Sequence, residues 1–398
     1  MKRVFMSFVS ALLISAPALA ADENANMGPA ETNTATETAT TSTEKTTDEE
    51  NTSALEKLIS KLPKLSGYLQ TGWNYTTQGK GTSSFQAKRL RLIMDGQVME
   101  NVTFRLQIEA FNGIGGSRNG NGQKNLQVMD AFATAKLSDA LNIRAGQYYL
   151  PLGFENYNIS PATLETVDFS NICYRMVCRN PVSYNVVDYG RDLGVMVFGN
   201  LLPNAEKDFN YLSYYLSLTN GNMPMKDDNN KSKDIITVLE FRPIKNLMFK
   251  GAYNWGEYAS ENIAGGNSLV PAGVKHQEMN RYIVGAWYND PNGLNLRTEY
   301  GHIQAGSYVK EDGFYALAAY TIGNWVPVVR YDMYRDKVNK ATLNNYDRIL
   351  GGFTYMFSKK LKIQANYGYS MYTKEAKDFS NGGKKGSSQI QIMAMYKF

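Results

Sequence analysis

Along most of this chain, apolar and polar residues change places one by one. From Leu65 onward, short alternating segments recur, with Gly, Asn, Asp or Pro between them. Successive side chains of a strand point to opposite faces, so each segment predicts a β-strand with one face in an apolar medium and one in a polar medium. Strands are predicted at 66–76, 84–98, 101–111, 126–137, 141–150, 190–200, 209–219 and 233–242, then at 246–256, 278–289, 293–304, 312–322, 325–335, 346–357, 360–371 and 387–398, sixteen in all. Two segments show the pattern most cleanly. Val102, Phe104, Leu106, Ile108 and Ala110 alternate with Thr103, Arg105, Gln107 and Glu109. Leu361, Ile363, Ala365, Tyr367, Tyr369 and Met371 alternate with Lys362, Gln364, Asn366, Gly368 and Ser370. At the end of the chain, Ile390, Ile392, Ala394, Tyr396 and Phe398 share one face, opposite Gln391, Met393, Met395 and Lys397.

A soluble sandwich also alternates, but it does not usually carry long charged residues on one face of nearly every strand and unbroken apolar or aromatic ones on the other. An even number of strands, at least sixteen, suits a membrane barrel with an aqueous lumen. The expected fold is therefore all-β, a 16-stranded antiparallel transmembrane β-barrel over residues 65–398. Connections alternate in length as such a barrel requires. Those at 136–142, 243–246 and 358–360 are short and expected in the periplasm; those at 112–125, 151–189, 220–232, 257–277 and 372–386 are long and expected outside. Connection 151–189 is the longest, and long structureless loops are usually functional. It is expected to fold into the lumen as a constriction loop carrying Arg175 and Arg179.

The N-terminus changes the compartment. Lys2 and Arg3 precede a mostly apolar stretch at 4–14 and the small-residue site Ala18-Leu19-Ala20, the pattern of a secretory signal peptide over 1–20. No Cys follows it, so lipid attachment is not expected. Residues 21–53 are rich in Thr, Glu, Ala and Asn and predict a disordered acidic tether. Its eight acids against Lys45 give −7, so a total charge of +5 conceals a body of +10 over 54–398. Leu55, Leu58, Ile59 and Leu62 follow helical spacing until Pro63, predicting a short periplasmic helix over 54–64, either a local cap under the barrel or an oligomerisation helix. No run is long enough for a membrane-spanning helix and mean hydropathy is −0.39, which leaves a barrel open because only alternate residues of its strands face lipid. The 27 Tyr and 34 Gly suit aromatic girdles and tight strand packing.

Candidate chemistry is sparse outside the barrel interior. The two His, His276 and His302, lie far apart, and no HExxH, GxSxG, CxxC or P-loop pattern occurs, so neither an enzyme, a metal site nor a cofactor is expected. Cys173 and Cys178 are the only cysteines and share one loop; in an oxidising envelope they predict a disulfide. Strand phase points Arg89, Arg91, Arg105, Arg144, Arg242, Lys250, Arg281, Arg297, Arg330, Arg348 and Lys362 inward. Asp95, Glu109, Asp130, Asp192, Glu240, Glu299 and Asp332 share that face. Such a lining either guides anions, since basic rings lower their barrier, or pairs across strands as structural ion pairs. Phe398, at the closing strand, is expected to matter for assembly.

Several stretches in order resemble one family: Gly67-Tyr68-Leu69-Gln70, Lys88-Arg89-Leu90-Arg91-Leu92, Arg144-Ala145-Gly146-Gln147-Tyr148 with Pro151-Leu152-Gly153, Arg191-Asp192-Leu193-Gly194-Val195, Asn220-Gly221, and Pro327-Val328-Val329-Arg330-Tyr331-Asp332. In their order and spacing they are similar to the phosphate-selective porins O and P. The resemblance implies a sixteen-stranded, typically trimeric porin with an inward third loop and basic residues guiding anions, into which Arg89, Arg91, Arg144, Arg191 and Arg330 fall by motif position. It also implies a Lys-rich constriction, whereas no Lys occurs between Pro151 and Tyr189.

The expected function is that of an anion-preferring porin for passive diffusion of small hydrophilic solutes, phosphate-like anions included, across the outer membrane of a Gram-negative bacterium. Its expected partners are membrane lipid, the barrel-insertion machinery, small anionic or neutral solutes and further copies in a homotrimer; nucleic acid is not among them. Two alternatives stand beside it. One is a sugar or oligosaccharide channel with Tyr148 and Tyr215 as stacking surfaces; the other is a non-transport surface barrel, adhesive or structural.

Overall fold

The structure, a computed structural model, describes residues 62–110, 126–177, 190–221, 224, 227–228, 231–258, 277–342 and 345–398. The signal peptide, the tether, Arg179, Cys178, His276 and positions 54–61 of the predicted helix lie outside the described residues; Lys64 already belongs to the first strand.

Sixteen antiparallel strands close into one barrel. The first eight are β1 (Lys64–Thr76), β2 (Thr82–Met99), β3 (Val102–Glu109), β4 (Gln127–Ser138), β5 (Leu141–Tyr149), β6 (Arg191–Pro203), β7 (Asn210–Thr219) and β8 (Asp234–Ile244). The second eight are β9 (Leu247–Tyr258), β10 (Gln277–Asn289), β11 (Leu294–Ala305), β12 (Val309–Tyr320), β13 (Trp325–Asp336), β14 (Tyr346–Met356), β15 (Leu361–Tyr372) and β16 (Gly386–Lys397). Each pairs with its sequence neighbours, and β16 returns to β1 in a register that runs from Tyr68 opposite Lys397 to Thr76 opposite Gln389. Every backbone ladder is thereby completed within the barrel, as a membrane requires.

The faces follow the alternation. On β16, Gln391, Met393 and Met395 are buried inside, while Ile392 and Tyr396 are about half exposed on the outer wall. On β15, Lys362, Gln364 and Asn366 point inward, opposite the exposed Leu361, Tyr367, Tyr369 and Met371. Trp325, Phe353, Tyr355 and Phe357 cluster on the outer wall near the short turns, with Tyr396 and Phe398 in tilted ring contact at the same end. That is the arrangement of an interfacial aromatic girdle.

Closure depends on a close approach. Gly67 and Phe398 exchange two backbone hydrogen bonds, of 3.1 and 3.0 Å. A Cβ at Gly67 would lie 2.2 Å from the Arg91 carbonyl oxygen and 2.7 Å from the Phe398 ring. Removing Phe398 is therefore expected to deplete heat-modifiable, folded protein from outer-membrane fractions. The molecules that do assemble should conduct as before; normal yield with altered conductance would contradict this assignment.

Candidate functional site: the lumen and the segment that crosses it

Residues 150–177 leave the top of β5 and turn into the barrel. Pro151 ends the strand, because it cannot donate to a ladder. Gly153 turns the chain at φ +72°, and a short helix α1 (Phe154–Tyr157) follows. A single π-helical turn, Ile172–Val177, comes near the end of the described segment. Almost every side chain between 151 and 177 is buried. Leu152, Ile172, Met176 and Val177 join Met279, Ile283, Ile303 and Tyr315 of the wall in one apolar cluster. Phe154, Leu164, Phe169 and Cys173 form a second one with Met248, against which Trp287 packs.

Three inward glycines make the seat. A Cβ at Gly285 of β10 would come within 2.7 Å of the Phe154 ring. One at Gly301 of β11 or Gly313 of β12 would come within 3.1 or 2.6 Å of the Met176 sulfur. Side chains at these positions would hold the segment off the wall.

An irregular segment inside a barrel must still satisfy its backbone polar groups. The inward charges of the strands do this. Arg281 donates to the Met176 and Val177 carbonyls at 2.7 and 2.8 Å. Arg330 donates to those of Asp168 and Phe169 at 2.9 and 3.2 Å. Lys362 and Gln364 both donate to the Leu164 carbonyl, and Arg89 to that of Val167. In return, the Phe154 amide donates to Glu299 and the Asn171 amide to Asp332. The segment's own carboxylates complete the docking: Glu155 and Glu165 lie 3.2 and 2.9 Å from Arg297, and Asp168 pairs with Lys88. These partners span β2, β10, β11, β13 and β15, so the segment lies across the lumen.

Burial pushes the Glu165 and Asp168 carboxyls up, but Arg297 and Lys88 respectively outweigh it and hold both below the ordinary carboxylate range. A depressed folded-state pKa stabilises docking above the unfolded value, about 3.9 for Asp, and the gain is lost only as pH falls through the folded value. Amide hydrogen exchange at 164–171 should therefore stay slow from neutral pH down to about 4. Release of these residues at pH 6 would contradict that.

The predicted pore-lining arginines separate into three groups. Arg89, Arg297 and Arg330 are buried and bind the crossing segment. Arg91 and Arg191 are buried in wall ion pairs with Glu109 and Asp130, at 2.9 and 2.6 Å. Arg191 falls on the outward phase of β6, yet it folds in across Tyr149, 3.4 Å from the ring centroid. Arg105, Arg144 and Arg348 remain half-buried on the inner wall. Arg105 pairs with Asp95 at 2.7 Å, and Arg144 donates to Thr134 and lies over the Phe132 ring. Arg348 donates to Gln389 at 2.6 Å. In the segment itself, buried Arg175 donates to the Asn171 side chain and covers Tyr334. Cys173 is buried, and its predicted partner Cys178 lies outside the described residues.

Tyr148 and Tyr215 do not present ring faces to the lumen. Tyr148 is fully buried on Ser217, and Tyr215 is packed between Tyr157 and Phe198. His302 bonds Asp312 at a strand end, as a structural pair.

Above the segment, at the end of the barrel with the long connections, lies an outer vestibule of about 680 Å³. Its wall draws on β1, β2, β13 to β16 and the segment itself. It carries Lys88, Arg175, Arg330 and Arg348 against Asp168 and Asp332. Lys88–Asp168 and Arg330–Asp332 are ion pairs; among the described residues, no carboxylate lies at ion-pair distance from Arg175 or Arg348.

A family profile described as phosphate-selective porin O and P matches residues 66–197. No curated protein matches the sequence significantly. Solved structures with the same fold include Salmonella typhi OmpF in complex with daunomycin (16% identity, TM-score 0.62, 84% of this chain and 97% of that one). An anion-selective porin from Comamonas acidovorans aligns at 13% identity and TM-score 0.58, over 84% and 99% of the two chains. The outer membrane channel DcaP of Acinetobacter baumannii aligns at 14% identity and TM-score 0.55, over 84% and 97%. The chain has the closed sixteen-stranded fold of the outer-membrane porins, and its residues 66–197 match the profile of the phosphate-selective porin O and P family.

Proposed function

We propose that this porin is a passive diffusion channel for small hydrophilic solutes, with a preference for anions, in the outer membrane of a Gram-negative bacterium. Phosphate-like anions fall within that class. The observation that carries the reading is the charge left over after pairing: among the described residues, Arg175 and Arg348 in the vestibule have no carboxylate at ion-pair distance, and Arg144 stays half-buried deeper in the lumen without one. Unpaired cations in a narrow, low-dielectric passage lower the barrier for anions and raise it for cations. The crossing segment narrows the passage, and Arg105 and Arg144 keep contact with water on the inner wall of β3 and β5. No catalytic role is assigned to the site. A homotrimer fits the reading, since OmpT of Vibrio cholerae, an outer membrane protein of the same fold, has been solved in a trimer form.

Liposome swelling tests this directly. Liposomes carrying the refolded protein should admit small organic anions faster than neutral solutes of the same size, and those faster than cations. No swelling with any solute would remove the channel reading; cations entering first would remove the anion preference.

A further inference from the structure

We propose that the outer vestibule binds hydroxylated organic anions, sugar acids of about disaccharide size. The proposal rests on the anion-preferring channel reading for its location, and names the chemistry the site takes.

Size argues first. About 680 Å³ falls in the range of sites for drug-sized ligands, about 300–1,000 Å³, and an inorganic anion would leave most of it to water. The lining argues next, because uncharged amide and hydroxyl side chains, three tyrosines included, outnumber charged ones by thirteen to six. That is more hydrogen-bonding capacity than a small anion can use.

Three polar groups without a hydrogen-bond partner among the described residues give the pattern. The Arg348 Nε has no hydrogen-bond partner, and its guanidinium lies against Gly368, where a Cβ would meet Nη2 at 2.4 Å. Asn171 is buried, and its Nδ2 also lacks a partner. Its orientation is fixed, since its Oδ1 accepts from Arg175 at 3.2 Å and from the Tyr346 hydroxyl at 2.9 Å. Both unmatched groups are donors beside two cations, as a carboxylate requires. The third is an acceptor. Buried Gln391 donates its Nε2 to Asp168 at 2.7 Å, which leaves Oε1 without a partner. Flipping that amide would turn its oxygen toward a carboxylate. A bare anion has no donor to offer Gln391, whereas a hydroxyl on the same solute does. Tyr346 and Tyr372, half-buried and edge to face with centroids 6.0 Å apart, supply apolar surface for the C–H face of a sugar ring.

The test compares three solutes as blockers of single-channel current through the refolded protein: digalacturonate, maltose and inorganic phosphate. Digalacturonate should block at a concentration roughly tenfold or more below the other two, because a site built for both groups rejects solutes lacking either. Arg348→Gln and Gln391→Met, each verified as heat-modifiable folded barrel, should each remove most of that advantage. Should a variant fail to fold, calorimetric titration of the unaltered protein with the three solutes decides alone. Phosphate binding as tightly as digalacturonate would overturn the proposal and make this a plain anion site. Maltose binding as tightly would overturn it in favour of neutral sugars. Binding of none of the three would overturn it while leaving the diffusion channel intact. If the channel favours cations yet digalacturonate still binds tightest, the vestibule site stands and the anion preference of the channel falls.

Discussion

Deleting residues 165–182 is expected to raise single-channel conductance by about threefold or more, because sixteen strands alone leave an aqueous channel. The deletion removes Asp168 with its pair to Lys88, and the carbonyls of Asp168 and Phe169 that bind Arg330. It also removes the π-helical turn that fills the glycine seat on β11 and β12. The ladders of β5 with β6, and of β16 with β1, do not depend on these residues, so folded protein should still form. Unchanged conductance in a folded deletion variant would show that the segment does not limit flow.

Replacing one cation should release the same segment without shortening it. Arg297 faces Glu155 and Glu165 in a largely buried site, and also donates to Tyr315. Among the described residues, Arg297→Met leaves Glu155 with Arg330 at 3.9 Å and Glu165 with the more distant pull of Lys362, in place of a cation in direct contact with both. Breaking a buried pair from one side costs about 3–5 kcal/mol, because the remaining charge stays desolvated. The docked segment should therefore open about a hundredfold more often or beyond, at about 1.4 kcal/mol per factor of ten. Hydrogen exchange over 154–171 reads this directly, and the single-channel trace should acquire larger open levels. Adding Glu155→Gln and Glu165→Gln to Arg297→Met should recover most of the protection, since neutral amides can stay buried with their hydrogen bonds. Equal exchange in the single and triple variants would mean that charge balance does not hold the segment down.

The wall of the barrel was legible in the sequence, and the reason is physical. A strand between lipid and water must alternate, so 361–371 and 390–398 reveal their faces without any knowledge of their neighbours. The partners of the inward charges were not legible. Strand phase correctly turns Arg297 and Lys362 inward, but their partners Glu165 and Leu164 lie 132 and 198 residues away on a segment with no periodicity. The basic face therefore reads as a pore lining when much of it is a docking surface. Arg191 escapes the phase rule altogether, because a long side chain at a strand end can fold over Tyr149 to reach Asp130. One signal of the docking surface was present in the sequence. Gly285, Gly301 and Gly313 stand on the inward phase, beside Ile283 and Ile303, where a water-filled lumen would favour polar residues. Small and apolar residues inside a barrel mark a surface covered by protein.

The reversal potential of the refolded protein under a KCl gradient across a planar bilayer tests the central claim, that the charge left unpaired in this lumen favours anions. Arg175, Arg348 and Arg144, which have no carboxylate at ion-pair distance among the described residues, predict a potential of the sign set by chloride, moving toward zero in Arg348→Gln. A potential of the sign set by potassium would contradict the account.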